Sequence, residues 1–135
     1  MGTIIKSNMV DTEKEIFRLY IYCNTPQSKP ISISKMLAEK LLQIKPTRRT
    51  MKIEECFNSI LSELPERTTI CDIDVMFNPK YRIDVLRILI EANKRHPFCL
   101  VWPGTIDGHR LIYSEDTLSD YKTYEISDYD IVCVV

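Results

Sequence analysis

Two stretches of this chain carry no polar interruption: Phe98-Cys99-Leu100-Val101-Trp102 and Ile131-Val132-Cys133-Val134-Val135. A strand with one face in water alternates apolar and polar residues. A strand inside a parallel sheet, covered on both faces, reads as a continuous apolar run. Three further segments join them. Residues 16–23, Ile-Phe-Arg-Leu-Tyr-Ile-Tyr-Cys, are aromatic and β-branched and predict a strand. Thr68-Thr69-Ile70-Cys71-Asp72-Ile73-Asp74 predicts a strand ending on two carboxylates, and Ile31-Ser32-Ile33 a short one.

Helical periodicity fills the intervals. Ser34 is placed to cap a helix running to about Ile44, with Leu37, Leu41 and Ile44 on one face and Pro46 as its stop. A second helix from about Met51 to Leu64 places Ile53, Cys56, Phe57, Ile60, Leu61 and Leu64 at the i, i+3, i+4, i+7 spacing, and Pro65 ends it. Asn78-Pro79 reads as a helix start, with a third helix from about Lys80 to Lys94 burying Ile83, Leu86, Leu89 and Ile90. Asp107-Gly108 signals a hairpin turn with a return strand from Arg110 to Ser114. Residues 115–128 are polar and tyrosine-bearing and read as a loop. Residues 1–15 have no clear period and are open to a short helix or an ordered arm. Strands alternating with helices over 135 residues predict a single α/β domain, with flanking helices and a mostly parallel sheet of about five strands.

Composition narrows the function classes. With 18 basic and 19 acidic residues the net charge is −1, so the chain as a whole has no electrostatic footprint for nucleic acid. No apolar run approaches the length of a membrane span, the N-terminus lacks a signal-peptide core, and Lys6 stands where a myristoylation signal needs Ser or Thr. The expectation is a cytoplasmic protein. The five cysteines, Cys23, Cys56, Cys71, Cys99 and Cys133, are widely spaced and form no C-x-x-C; they read as reduced, mostly buried residues. Neither they nor His96 and His109 have metal-ligand spacing. No Ser-His-Asp or Cys-His constellation stands out, so no catalytic residue is assigned.

Three groups remain as candidates. Asp72 and Asp74, two apart at a strand end, could share a face for metal or acid–base work or serve as helix caps and solvated groups. Lys45, Arg48, Arg49 and Lys52 make a basic cluster around a turn, suited to nucleic-acid phosphates or to a solvated helix junction. Trp102, Tyr113, Tyr121 and Tyr124, with Tyr129, make the C-terminal third rich in aromatics, open to partner contact, base stacking or plain packing.

Several segments, in order along residues 31–135, resemble the BrxF family, small P-loop proteins of BREX phage-defence systems. The leucine-rich helix, basic turn and amphipathic helix beginning at Ser34–Thr50 are similar to that family's helix-and-turn segment. Asp72-Ile73-Asp74-Val75-Met76-Phe77-Asn78-Pro79 resembles its D-N-I-E-x-L-F-D-P, and Asp84-Val85-Leu86-Arg87-Ile88-Leu89 its D-P-L-x-L-L. Val101-Trp102-Pro103-Gly104-Thr105 resembles V-x-W-P-G-T, Arg110-Leu111-Ile112-Tyr113-Ser114-Glu115 resembles R-L-T-Y-A-E, and Asp120-Tyr121-Lys122-Thr123-Tyr124 resembles P-E-Y-x-x-Y.

The resemblance implies a P-loop NTPase-like scaffold, and the chain departs from it where nucleotide would bind. A P-loop, G-x-x-x-x-G-K-[ST], uses backbone N–H groups, a lysine and a magnesium-binding hydroxyl. Laid on Cys23–Pro30, only Lys29 matches, with Cys23 and Ser28 at the glycine positions, Pro30 at the hydroxyl position, and Pro26 and Pro30 lacking N–H groups. A second alignment is favoured, in which the similarity starts at Pro30 and the P-loop helix is deleted. The family's magnesium-binding aspartate falls on Cys71, with Asp72 at its asparagine position and Asp74 at its glutamate position. The resemblance thus implies a non-catalytic accessory component of a phage-defence system, an interaction module that docks on a larger ATPase or self-associates, with no cofactor and with ATP and Mg²⁺ disfavoured. The alternatives are a residual NTPase using Lys29 with Asp72 or Asp74, and a nucleic-acid module using the basic turn and the tyrosines.

Overall fold

The computed structural model describes residues 1–10, 18–24, 26 and 29–135. Ile16 and Phe17 of the first expected strand, and Ser28 of the expected loop, lie outside the described residues.

The main sheet is entirely parallel among the described residues. Its strands are β1 (Thr3–Ile5), β2 (Leu19–Tyr22), β3 (Ile31–Ser32), β4 (Thr68–Cys71), β5 (Phe98–Val101) and β9 (Ile131–Val134), in the order β1-β9-β2-β5-β4-β3. A second, antiparallel sheet joins β6 (Thr105–Asp107), β7 (Arg110–Tyr113) and β8 (Lys122–Glu125) in sequence order. The expected α/β class with a mostly parallel sheet is therefore present, with six parallel strands rather than about five among the described residues and a separate antiparallel sheet. Among the described residues, no helix is long and apolar enough to cross a membrane.

Register sets the core. Ile21 pairs with Leu100 and Cys133, and Leu100 with Ile70, so these side chains share one face of the sheet. All four are buried in one cluster with the buried faces of three helices, α1 (Ser34–Leu42), α2 (Arg49–Ser62) and α3 (Val85–Arg95). Phe57 of α2 meets Phe98 of β5 edge to face at 5.6 Å. On the other face Tyr20, Val132 and Val134 are buried, while Tyr22, Cys99 and Val101 keep partial exposure. The two apolar runs thus differ: β9 is buried at every residue, β5 on one face.

Several local expectations are corrected. Ser34 is the first residue of α1 and not its cap; its hydroxyl is 3.3 Å from that of Ser32. The strand from Thr68 ends at Cys71, because Asp72 has φ 62°, in the left-handed region. Asp74 instead opens a 3-10 turn, Asp74–Phe77. Asn78-Pro79 starts no long helix: the Asn78 side chain accepts from the Lys80 amide in a turn, and Arg82 at φ 49° blocks helix propagation. The helix begins five residues past Lys80, where the Asp84 carboxylate caps the Arg87 amide. The polar stretch 115–128 contains β8 and a 3-10 turn, Ile126–Asp128. Gly108, at φ 58°, supplies the expected turn between β6 and β7.

Candidate functional site

In an open parallel sheet, ligands sit in the crevice outside the C-terminal strand ends, where neighbouring connections diverge. Here that point is the end of β2, between β5 and β9. The backbone there is already committed. The Cys23 amide donates to the Val134 carbonyl, and the Trp102 amide donates to the Tyr22 carbonyl. A phosphate cradle needs free, convergent N–H groups leading into a helix. Among the described residues between β2 and β3, Cys23, Asn24, Pro26, Lys29 and Pro30, none is helical, and the two prolines have no N–H to offer.

In the sheet β5 and β4 lie between β2 and β3. Lys29 is exposed and lies two residues before Ile31, in neither strand nor helix. Asp72 and Asp74 follow the C-terminal end of β4. Among the described residues no ion pair joins Lys29 to either carboxylate.

Asp72 and Asp74 are both exposed. Asp74 accepts a hydrogen bond from the Tyr113 hydroxyl at 3.0 Å. The Cys71 thiol approaches Asp72 at 3.6 Å, and burial together with the neighbouring carboxylates pushes that thiol up. No group of three metal-ligating side chains forms among the described residues.

The aromatic candidates require correction as a surface. Trp102, Tyr113 and Tyr124 are 5%, 8% and 6% exposed, and only Tyr121, at 38%, faces solvent. Phe77 lies at the centre: Tyr113 stacks on it at 3.9 Å, and Trp102 and Tyr124 meet its edge at 5.7 and 6.5 Å. The cluster joins the antiparallel sheet to the turn after β4. The Trp102 indole N–H donates to the carbonyls of Thr105 and Ile112 at 3.1 and 2.9 Å. Gly104 permits this approach, since a Cβ there would lie 2.0 Å from the Ile112 carbonyl oxygen. The W-P-G-T segment is thus a junction between two sheets. Burial raises the Tyr113, Tyr124 and Tyr129 hydroxyls above the ordinary phenol range, Tyr129 to about 12, with Asp84 as its hydrogen-bond acceptor at 3.0 Å.

The basic turn divides into parts. Arg49 is structural, its Nε donating to the carbonyls of Leu41 and Ile44 at 2.9 and 3.0 Å, where the Leu41 carbonyl also accepts from the Ile44 amide. Lys52 pairs with Glu55 at 3.2 Å. Lys45 and Arg48 are exposed and line a shallow depression with Gln43, Ile44, Lys52 and Glu55. A second depression, lined by Gly2, Ile4, His109, Glu125, Ile126 and Ser127, had no signal in the sequence because it depends on β1 packing beside the 126–128 turn. His96 is used internally, its Nε2 2.9 Å from the Leu64 carbonyl. The five cysteines are all free thiols. In comparisons with known proteins, the chain matches no family model, no curated protein and no solved structure.

Proposed function

We propose that this chain is a non-catalytic interaction module of a BREX-like phage-defence system, built on a P-loop-type scaffold from which the nucleotide site has been lost. The observation that carries this reading is the direct passage from β2 to β3. Only eight residues, Cys23–Pro30, lie between β2 and β3, with prolines at 26 and 30 and no glycine, too few for a phosphate loop followed by a helix. This supports the alignment in which the P-loop helix is deleted. The segments that resemble the BrxF family also contact one another: Tyr113 reaches Asp74, and Trp102 reaches Ile112. The motifs behave as the parts of one scaffold, and that scaffold survives without the chemistry. The expected partner is a larger protein of the same system, such as its ATPase.

Thermal unfolding with and without Mg-ATP tests this. A ligand that binds only the folded state at a hundred times its Kd stabilises it by about 2.7 kcal/mol, a shift of several degrees for a domain of this size. The expected result is no shift at millimolar Mg-ATP. A reproducible rise that Lys29→Ala removes would overturn the reading in favour of a residual nucleotide site.

A further inference from the structure

The charge of this molecule is balanced overall but not locally. From Lys40 to Lys52 the chain carries five cations and no acid: Lys40, Lys45, Arg48, Arg49 and Lys52. Between Arg110 and Lys122 it carries Glu115, Asp116 and Asp120 and no cation. The same two segments hold four of the seven large apolar side chains exposed among the described residues. Leu42 and Met51 are 72% and 75% exposed on the basic elbow, and Leu118 and Tyr121 are 54% and 38% exposed on the acidic loop. A charged segment that is merely solvated has no need of such side chains, whereas an interface combines apolar anchors with a charged rim.

The two surfaces do not satisfy each other within one molecule. α1 begins at the C-terminal end of β3 and runs nine residues, about 13 Å, before the elbow. The acidic loop stands at the C-terminal edge of the sheet, anchored by Tyr113 on Asp74 and by the Ser114 hydroxyl on Asp120 at 2.6 Å. Among the described residues, no ion pair joins Lys45 or Arg48 to any carboxylate, or Glu115, Asp116 or Asp120 to any cation. Within the elbow Lys40 pairs with Glu63 at 3.6 Å and Lys52 with Glu55 at 3.2 Å, so Lys45 and Arg48 are the cations that a partner's acidic loop would meet, and the two surfaces are apolar-studded and complementary.

From this juxtaposition we infer that the chain self-associates head to tail, the acidic loop 114–121 of one copy seating on the basic elbow 40–52 of the next. The contact is heterologous, since two different surfaces meet, so it propagates to a ring or a short filament rather than closing as a symmetric dimer. It rests on the reading of the chain as an interaction module, and it names one partner: a second copy. Nucleic acid would use the elbow alone and would leave Leu118, Tyr121 and the acidic loop unexplained.

Sedimentation velocity over a concentration series tests it. The wild type is expected to form species larger than one chain at low ionic strength and to fall back toward single chains near 1 M salt, where the screening length drops to about 3 Å. Two charge reversals follow, Lys45→Glu with Arg48→Glu and Glu115→Lys with Asp116→Lys. Each alone should weaken association at least tenfold, and an equimolar mixture should restore it, because opposite charges then face each other again. All four positions are exposed, so circular dichroism of each variant should match the wild type. A wild type that remains a single chain throughout would overturn the proposal, as would association indifferent to both reversals. So would a single-chain wild type whose binding to a DNA duplex is lost on reversing the elbow, which assigns the elbow to nucleic acid. None of these outcomes touches the Mg-ATP melting result, so the two readings fail separately.

Discussion

The hydroxyls of Tyr113 and Tyr124 border the same aromatic cluster but differ in what they meet. Tyr113 donates to the exposed carboxylate of Asp74, whereas the Tyr124 oxygen is buried beside the backbone of Val85 without closing a hydrogen bond. A hydroxyl that gains a charged acceptor stabilises the fold, and one buried without a partner does not. Tyr113→Phe should therefore cost about 1 kcal/mol, with solvent screening of Asp74 holding the loss near that figure. Tyr124→Phe should be neutral or slightly stabilising, since it removes an unpaired polar atom and keeps the ring. Urea denaturation of the two variants checks the contrast, and an equal loss in both would show that the hydroxyl environments are not distinct. The tyrosines and Trp102 were visible in the sequence as an aromatic group, but their burial was not. Burial depends on Phe77 entering the cluster from a turn 25 residues before Trp102, and on β8, which charged neighbours disguise as loop.

At the scale of elements, legibility followed how local each cause was. Hydrophobic spacing alone placed α2 to within two residues, and the unbroken apolar run placed β9. The start of α3 was misplaced because Asn78-Pro79 satisfies every local rule for a helix start. The left-handed Arg82 and the Asp84 cap, one set by tertiary packing and the other by hydrogen bonding downstream, decide the matter instead. β1 escaped notice because three residues have no pattern of their own; β9 makes them a strand. At the candidate site, the departure from the phosphate motif could be read residue by residue, while the commitment of the Cys23 and Trp102 amides at the end of β2 required the strand order. The basic elbow illustrates the same division. Arg49 closes the turn after α1, so Arg49→Ala should cost about 1 kcal/mol, chiefly at the Ile44 carbonyl, since the Leu41 carbonyl keeps the Ile44 amide. Arg48→Ala should stay within about 0.5 kcal/mol of wild type. Chemical denaturation of each single variant separates them, and equal losses would contradict the capping role. A double substitution at both arginines would confuse stability with binding.

For the whole molecule, the buried phenols make stability fall on the alkaline side. A free tyrosine ionises near pH 10, while the folded state holds the Tyr129 proton to about 12 and raises Tyr113 and Tyr124 as well. Above pH 10 the unfolded chain has released protons that the native state keeps, so unfolding becomes easier with each further step in pH. The contribution is fully present below pH 10 and is lost as pH rises toward 12. Melting temperatures measured across that window should decline, and the decline should be shallower in Tyr129→Phe; an identical slope would remove Tyr129 from the account. Strand order has a consequence of another kind. β9 is inserted between β1 and β2, so Thr3 meets Val132 and Leu19 meets Ile131 across more than a hundred residues of intervening chain. The centre of the sheet thus waits for the last strand to arrive. Contacts this distant are slow to form. Until they do, β2 exposes an unpaired edge to whatever else is nearby, and the most vulnerable moment in folding is the interval before residues 131–134 slide into place.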